Sequence, residues 1–435
     1  MVTSDSGRAD WLRRGLLLTA GGFIAVNLIA LQLQNPARSE IWLLFFIWAA
    51  CAFIGNALAA RLLPNRDPIL FPLVIFMSGW GLIGIQRLAP NFAERQMIWL
   101  VVSTLALLIV LALPNVLTLL RAFRYSLLMT GLALLVGTIL LGTNPSGQVG
   151  APELWLGFGT VFFQPSEPLK IILVAFLASY LAEQYPALRA EGIDTASKRR
   201  IWAISPRIAG PILLMWGISI IVLIWQRDLG TAILFFLVFL LLLYVASGFT
   251  PLLIGGGLLV GAAGIVAYQL FAVVRLRIDI WINPWLEADG RAYQIVQSLM
   301  AFAAGGVFGQ GIAQGAPTFV PVAHSDFIFA ALAEEWGLLG VIAVIACFAI
   351  LIARGLRIAA CLSAAPRSRP FHTLLAVGLT TVFGVQALLI MGGVIKLVPL
   401  TGVTLPFFSY GGSSLLISFI AVGLLMRLSS EAEQD

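Results

Sequence analysis

Charge is scarce in this chain. Of its 435 residues only 11% are Asp, Glu, Lys or Arg, while 60% are hydrophobic, a balance that excludes an ordinary soluble globular domain. Cysteine and histidine are rarer still, at three and two. Cys51, Cys347 and Cys361 have neither metal-ligand nor redox spacing, so no disulfide or zinc framework is expected. Two histidines cannot build a His-rich metal site. The strict alternation of a membrane β-barrel is missing, and so are long polar tails and any stretch able to form a separate soluble domain. The first apolar run is too long, and too lacking in a small-residue cleavage site, for a signal peptide.

What the chain does have is apolar runs, each long enough to cross a bilayer as a helix. They lie near 15–33, 41–60, 69–86, 97–113, 125–141, 168–183, 209–225, 230–247, 251–270, 326–350, 373–395 and 412–427. This predicts an all-α, polytopic bundle of about 12 membrane helices, because a helix satisfies its own backbone hydrogen bonds in lipid. The net charge of +6 is distributed as a topology signal. Arginines and lysines concentrate in alternate loops, around Arg13, Arg61, Arg121, Arg199, Arg354 and the tail Arg427. The positive-inside bias then places both termini in the cytoplasm. Membrane lipids are the expected surroundings, and nucleic acid is not an expected partner. Two segments on the opposite side stand out. One, 142–167, is rich in Gly, Pro and Asn, which break helices. The other, 271–325, exceeds ordinary connector length, so a function and short surface helices are expected there.

Ionisable groups are costly in lipid, so those inside such a chain mark polar cavities. Glu167 and Lys170 follow Gln164-Pro165-Ser166 and can pair on one helix face. They read either as an interfacial cap with a snorkelling lysine or as a buried pair lining a cavity for an anionic headgroup. Asp228 opens the run after Gln226-Arg227, as an N-cap or as a cavity acid held by its cap. His324-Ser325-Asp326 stands at the outer mouth of a span, with Glu334 and Glu335 further in. Helical spacing places Glu334 two turns below Asp326 on one face. Such a carboxylate can act as a general base or bind a divalent cation. The segment from Pro399 to Ser414 interrupts apolar sequence with prolines, glycines and hydroxyls. It reads as a tight re-entrant turn, or as a place where Ser413, Ser414 and free amides hold phosphate or sugar. Arg95 opens a span, as a snorkelling arginine or as a diphosphate ligand.

Together these pieces resemble the SEDS family (shape, elongation, division and sporulation; the RodA/FtsW/SpoVE-like proteins). The matching motifs are Gln-Pro-Ser-Glu at 164–167 with Lys170, Gln-x-Asp-Leu-Gly-Thr at 226–231, Asn-Pro-Trp through Tyr-Gln at 283–294, Gly-Gln-Gly at 309–311, His-Ser-Asp-Phe-Ile-Phe at 324–329 with Glu-Glu at 334–335, and Pro-Phe-Phe-Ser-Tyr-Gly-Gly-Ser-Ser at 406–414. Six motifs in one order are far more specific than any one of them. The resemblance implies a ten-helix membrane core over 67–428, preceded by two additional helices in 1–66 and followed by a short cytoplasmic tail at 429–435. It implies an inverting peptidoglycan glycosyltransferase of the bacterial cytoplasmic membrane that polymerises lipid II and releases undecaprenyl diphosphate. Asp326 falls on the family's essential acid, the expected general base. Glu167 and Lys170 fall on its cavity ion pair, Asp228 on a second cavity acid, and Arg95 on an outer arginine. A class B penicillin-binding protein is the implied partner. Positive charge for the leaving diphosphate is expected from Arg95, Lys170 or a divalent cation, Mg²⁺ or Mn²⁺. No organic cofactor is expected. Ser325 and Arg227 depart from the family's usual Thr and Pro. Glu287 and Asp289 depart from its Asp-Pro and receive no role. A lipid II flippase, using the same charged groups, is the alternative reading.

Overall fold

The computed structural model describes residues 3–34, 41–144, 153–159, 161–194, 210, 217–218, 228–365 and 369–433. The expected span at 209–225 falls almost wholly outside these residues, as do Gln226 and Arg227, residues 195–208 and the middle of the 142–167 segment. The helices are α1 (Thr3–Gln34), α2 (Ile41–Leu62), α3 (Leu70–Leu88), α4 (Pro90–Ala112), α5 (Val116–Ala122), α6 (Arg124–Leu141), α7 (Ser166–Asp194), α8 (Leu229–Ser247), α9 (Pro251–Leu270), α10 (Ala272–Ile282), α11 (Tyr293–Gly305), α12 (Ile328–Ala364), α13 (Pro370–Val394) and α14 (Gly412–Ala432). Among the described residues, 10 helices are long and apolar enough to cross a membrane. The all-helical membrane architecture expected from composition is therefore present.

Local chemistry explains where the helices start. Pro90, Pro251 and Pro370 each take the first helical position, where a missing N–H costs nothing and φ is already set. Asp228 caps α8 through Oδ1, which accepts from the Thr231 amide at 3.0 Å, while the Thr231 hydroxyl donates to Oδ2 at 2.6 Å. Gly248 ends α8 in the left-handed region, at φ 69°, a conformation that costs glycine nothing. The long 271–325 segment holds α10, α11 and two short 3-10 turns at Pro284–Glu287 and Pro317–Phe319, in line with its length. The described part of the helix-breaking 142–167 segment contains a small antiparallel hairpin, β1 (Leu156–Phe158) paired with β2 (Val161–Phe163), too short for its periodicity to be read.

The chain divides into two compact units. The first comprises residues 1–114, 283–354 and 386–435, and the second 115–282 and 355–385. In the first, α4 packs along α14 and against α2, while α1 and α2 lie against α3. Gly81 lets α3 approach a turn so closely that a Cβ there would stand 2.6 Å from the Phe407 carbonyl oxygen. In the second, α7 packs against α6 and α8, and Arg124 pairs with Glu183 at 2.6 Å.

Asp67 pins the entry to α3. Its Oδ1 accepts from the amides of Ile69 and Leu70 at 2.9 and 3.1 Å, and Oδ2 accepts from the Arg354 guanidinium at 2.7 Å. The Ser429 hydroxyl in turn accepts from the Asp67 amide at 2.9 Å. Asp67→Ala is expected to cost roughly 2–4 kcal/mol, combining a lost cap with a half-buried arginine left unpaired. Asp67→Asn keeps a cap acceptor and loses less. Thermal unfolding of the purified protein in detergent checks both.

Candidate functional site

Asp326 lies in the first unit, in a run of turns at residues 321–327 that ends where α12 begins. It is therefore not a helical residue, and the expected stacking of Glu334 two turns below it does not apply. Its carboxylate is half-buried. The Ser325 hydroxyl donates to Oδ1 at 2.8 Å, which orients the group. A second segment holds this one in place. The Tyr410 amide donates to the His324 carbonyl at 2.8 Å, and the Ser409 hydroxyl donates to the Ser325 carbonyl at 2.6 Å. Ser409 also accepts from the Leu405 amide at 2.9 Å. The Pro-Phe-Phe-Ser-Tyr turn is thus a backbone brace for the His-Ser-Asp segment.

Three rings cluster at His324, two residues before the acid. Phe92 of α4 stacks on Tyr410 at 4.7 Å between centroids and lies 5.1 Å from the His324 ring. All three are half-buried. Burial pushes the His324 pKa below its ordinary 6.5, because desolvation disfavours the charged imidazolium. His324 is then neutral at neutral pH, with one ring nitrogen a donor and the other an acceptor. Gln96, one turn beyond Phe92, joins the bracing turn to α4: its Oε1 accepts from the Gly411 amide at 3.3 Å. Arg95, exposed on the same helix, makes no ion pair among the described residues. Val322 and Phe407 both hold positive φ, 55° and 70°. That is unusual for bulky side chains and tends to persist where surrounding structure enforces it, often at functional sites.

Glu334 and Glu335 face the loop that leads to Asp326. The Glu334 carboxylate accepts from the Ala316 amide at 2.6 Å. Glu335 accepts from the Ala313 amide at 3.1 Å and pairs with Arg87 at 3.1 Å, and Arg87 donates to the Gly315 carbonyl at 3.1 Å. Just beyond, α12 is broken. Gly337 takes φ 64°, ψ −162°, and the freed backbone groups bond to the glycine-rich loop. Gln310 and Gly311 donate to the carbonyls of Glu334 and Glu335 at 2.8 and 3.0 Å, while Leu338 and Leu339 donate to Gly306 and Val307 at 2.9 and 3.2 Å. A side chain at Gly309 would collide with the Glu335 carbonyl. Only glycines permit this splice.

Ser414 is turned inward, its hydroxyl 2.9 Å from that of Thr404, and Ser413 beside it is buried. In the second unit the pair expected from spacing is present: Lys170 Nζ lies 2.6 Å from Glu167 Oε2, both side chains buried. Asp228 is buried at the start of α8. Three contributors went unnoticed in the sequence: Arg87, Gln96 and the break at Gly337. The polar pair Gln86-Arg87 at a helix end was the available signal, but it looks like any snorkelling terminus. Among the described residues, no three His, Cys, Asp or Glu side chains cluster as a metal-ligand set.

Substitutions at two of these positions have defined outcomes. Glu335→Ala is expected to cost roughly 2–4 kcal/mol, because it strands both the Arg87 charge and a loop amide, whereas Glu335→Gln keeps an acceptor and loses less; unfolding in detergent measures this. His324, neutral in the fold, binds its proton more readily when unfolded. Its contribution is therefore whole above pH 6.5 and declines as pH falls below that value. A His324→Asn variant should show a flatter acid limb of stability against pH.

Comparisons with known proteins identify the family. The family model for the cell cycle proteins FtsW, RodA and SpoVE matches residues 68–434. The peptidoglycan glycosyltransferase RodA of Mycobacterium tuberculosis is 36% identical over 436 residues, covering 96% of this chain and 90% of that protein. Among solved structures, a chain from work on the coordination of polymerization and crosslinking by a peptidoglycan synthase complex superposes with TM-score 0.68 at 26% identity, covering 85% of this chain and 99% of that one. The rod shape determining protein RodA of Thermus thermophilus gives TM-score 0.57 at 26% identity, covering 85% and 98%. The chain belongs to the FtsW/RodA/SpoVE family and is a multi-pass membrane protein.

Proposed function

We propose that this protein is a peptidoglycan glycosyltransferase that polymerises lipid II at the outer face of the bacterial cytoplasmic membrane, with Asp326 as general base. The observation that carries the reading is the half-buried Asp326, bonded by the Ser325 hydroxyl in a segment braced by Ser409 and Tyr410. Its relatives are named for this activity. In the reaction, Asp326 takes the proton of a sugar 4-hydroxyl. The oxygen attacks C1 of the lipid-linked strand, the C1–O bond to diphosphate breaks, and undecaprenyl diphosphate leaves. Attack opposite the leaving group inverts the anomeric carbon. A base of this kind contributes roughly 10²–10⁴-fold.

The ring faces of Phe92, His324 and Tyr410 suit the apolar face of a sugar. Arg95, one turn from Phe92 on α4, is an exposed cation for a departing diphosphate. The described residues do not by themselves form a metal-ligand set, so a bound Mg²⁺ or Mn²⁺ would draw ligands from diphosphate and water as well as Asp326. We assign the protein a crosslinking partner of the class B penicillin-binding type, in keeping with the synthase complex it resembles.

Purified protein given fluorescent lipid II should make polymer, and Asp326→Ala should lower the rate by at least about 10²-fold. Arg95→Ala should weaken turnover less. Polymer made equally well by Asp326→Ala sinks the general-base role. Lipid II translocation in liposomes without polymer would instead identify a flippase.

A further inference from the structure

The helices α1 and α2 precede the segment that the family model matches, which begins at residue 68. Contacts within the first unit give them a role. Phe23 and Asn27 lie one turn apart on α1. The Trp336 indole donates to Asn27 Oδ1 at 3.2 Å. Phe23 meets Trp80 of α3 edge-on at 5.1 Å. Trp80 in turn meets Trp336 at 5.7 Å and Phe408 at 5.7 Å. Its own indole nitrogen is buried without a hydrogen-bond partner among the described residues, so Trp80 is engaged here through its ring contacts. Asn27 is itself fixed, since its amide donates to the Phe23 carbonyl at 2.7 Å.

The two rings held in this way begin the two supports of Asp326. Trp336 sits between Glu335 and the break at Gly337, where the glycine-rich loop is spliced into α12. Phe408 precedes Ser409 and Tyr410, which bond the carbonyls of Ser325 and His324. Loop and turn thus approach the acid from opposite sides in sequence, and both meet α1 through tryptophan. A polar Asn inside an apolar helix is costly unless it has a partner, and its partner here is the residue at the splice.

We infer that α1 is a positioning element for the catalytic segment, with Asn27 as the positioning residue that sets Trp336 and, through it, the loop carrying Asp326. This inference rests on the proposed polymerase reading for its kinetic arm and on geometry alone for its structural arm. Trp48 of α2 provides an internal control. Its indole donates to the Ile75 carbonyl of α3 at 2.9 Å, a buried bond made by the second N-terminal helix that does not involve Trp336.

The test compares Asn27→Leu, Asn27→Gln, Trp336→Phe and Trp48→Phe in the full chain in lipid nanodiscs. With fluorescent lipid II, Asn27→Leu should lower kcat roughly tenfold, as small misplacement of a catalytic group does, with KM changed less than about twofold. Asn27→Gln, which keeps the acceptor, should retain most of the rate. Adding Trp336→Phe to Asn27→Leu should cost no more than either alone, because both remove one bond. Trp48→Phe should lower stability and leave kcat near wild type. Hydrogen exchange supplies the arm independent of activity: amides of 310–316 should exchange faster in Asn27→Leu and not in Trp48→Phe. Wild-type kcat and exchange in Asn27→Leu, or equal effects from Trp48→Phe, overturn the inference. Wild-type protein that makes no polymer counts against the polymerase reading alone, and exchange then decides the role of α1.

Discussion

A helix interrupted inside a membrane protein must find partners for the backbone groups it frees, since lipid offers none. At Gly337 those groups bond to a glycine-rich stretch of the preceding loop. Much of the first unit's site derives from this constraint. The loop must come close enough to bond, so Gly305, Gly309 and Gly337 have no space for a Cβ. Once spliced, the loop lies over Glu334 and Glu335, whose carboxylates take its amides. Arg87 then balances one of the two acids. The loop runs on directly into the turn bearing Asp326.

The segment bearing the acid is held through its backbone: Ser325 donates to the Asp326 carboxylate, and the neighbouring carbonyls are fixed from Ser409 and Tyr410. The residues before Asp326 are anchored through their carbonyls, and positive φ at Val322 and Phe407 is a strain that such anchoring can sustain. The aromatic contacts from Phe23 through Trp80 to Trp336 and Phe408 join the same anchoring to the first helix of the chain.

The division between structural and chemical acids was only partly visible beforehand. Asp326, Glu334 and Glu335 share one short apolar neighbourhood, and sequence spacing assigned the first two to one helical face. In the fold Asp326 precedes the helix, and Glu334 bonds a loop eighteen residues upstream of itself. Spacing along a helix cannot show where the helix starts when the first turn has no strong capping signal. Gln96 was illegible for a different reason: its partner, the Gly411 amide, is distant in sequence.

Composition and local chemistry were enough for the membrane class, the helical architecture, the Glu167–Lys170 pair and the cap at Asp228, because each depends on hydrophobicity or on residues within a turn of one another. Motif order was enough for the family. Tertiary structure alone decided which acid stands outside the helix and which are bonded to a loop, and it joined Asn27 to Trp336 across most of the chain. Those outcomes depend on long-range backbone partners, and a hydrogen bond between distant residues leaves no periodic trace in the sequence that makes it.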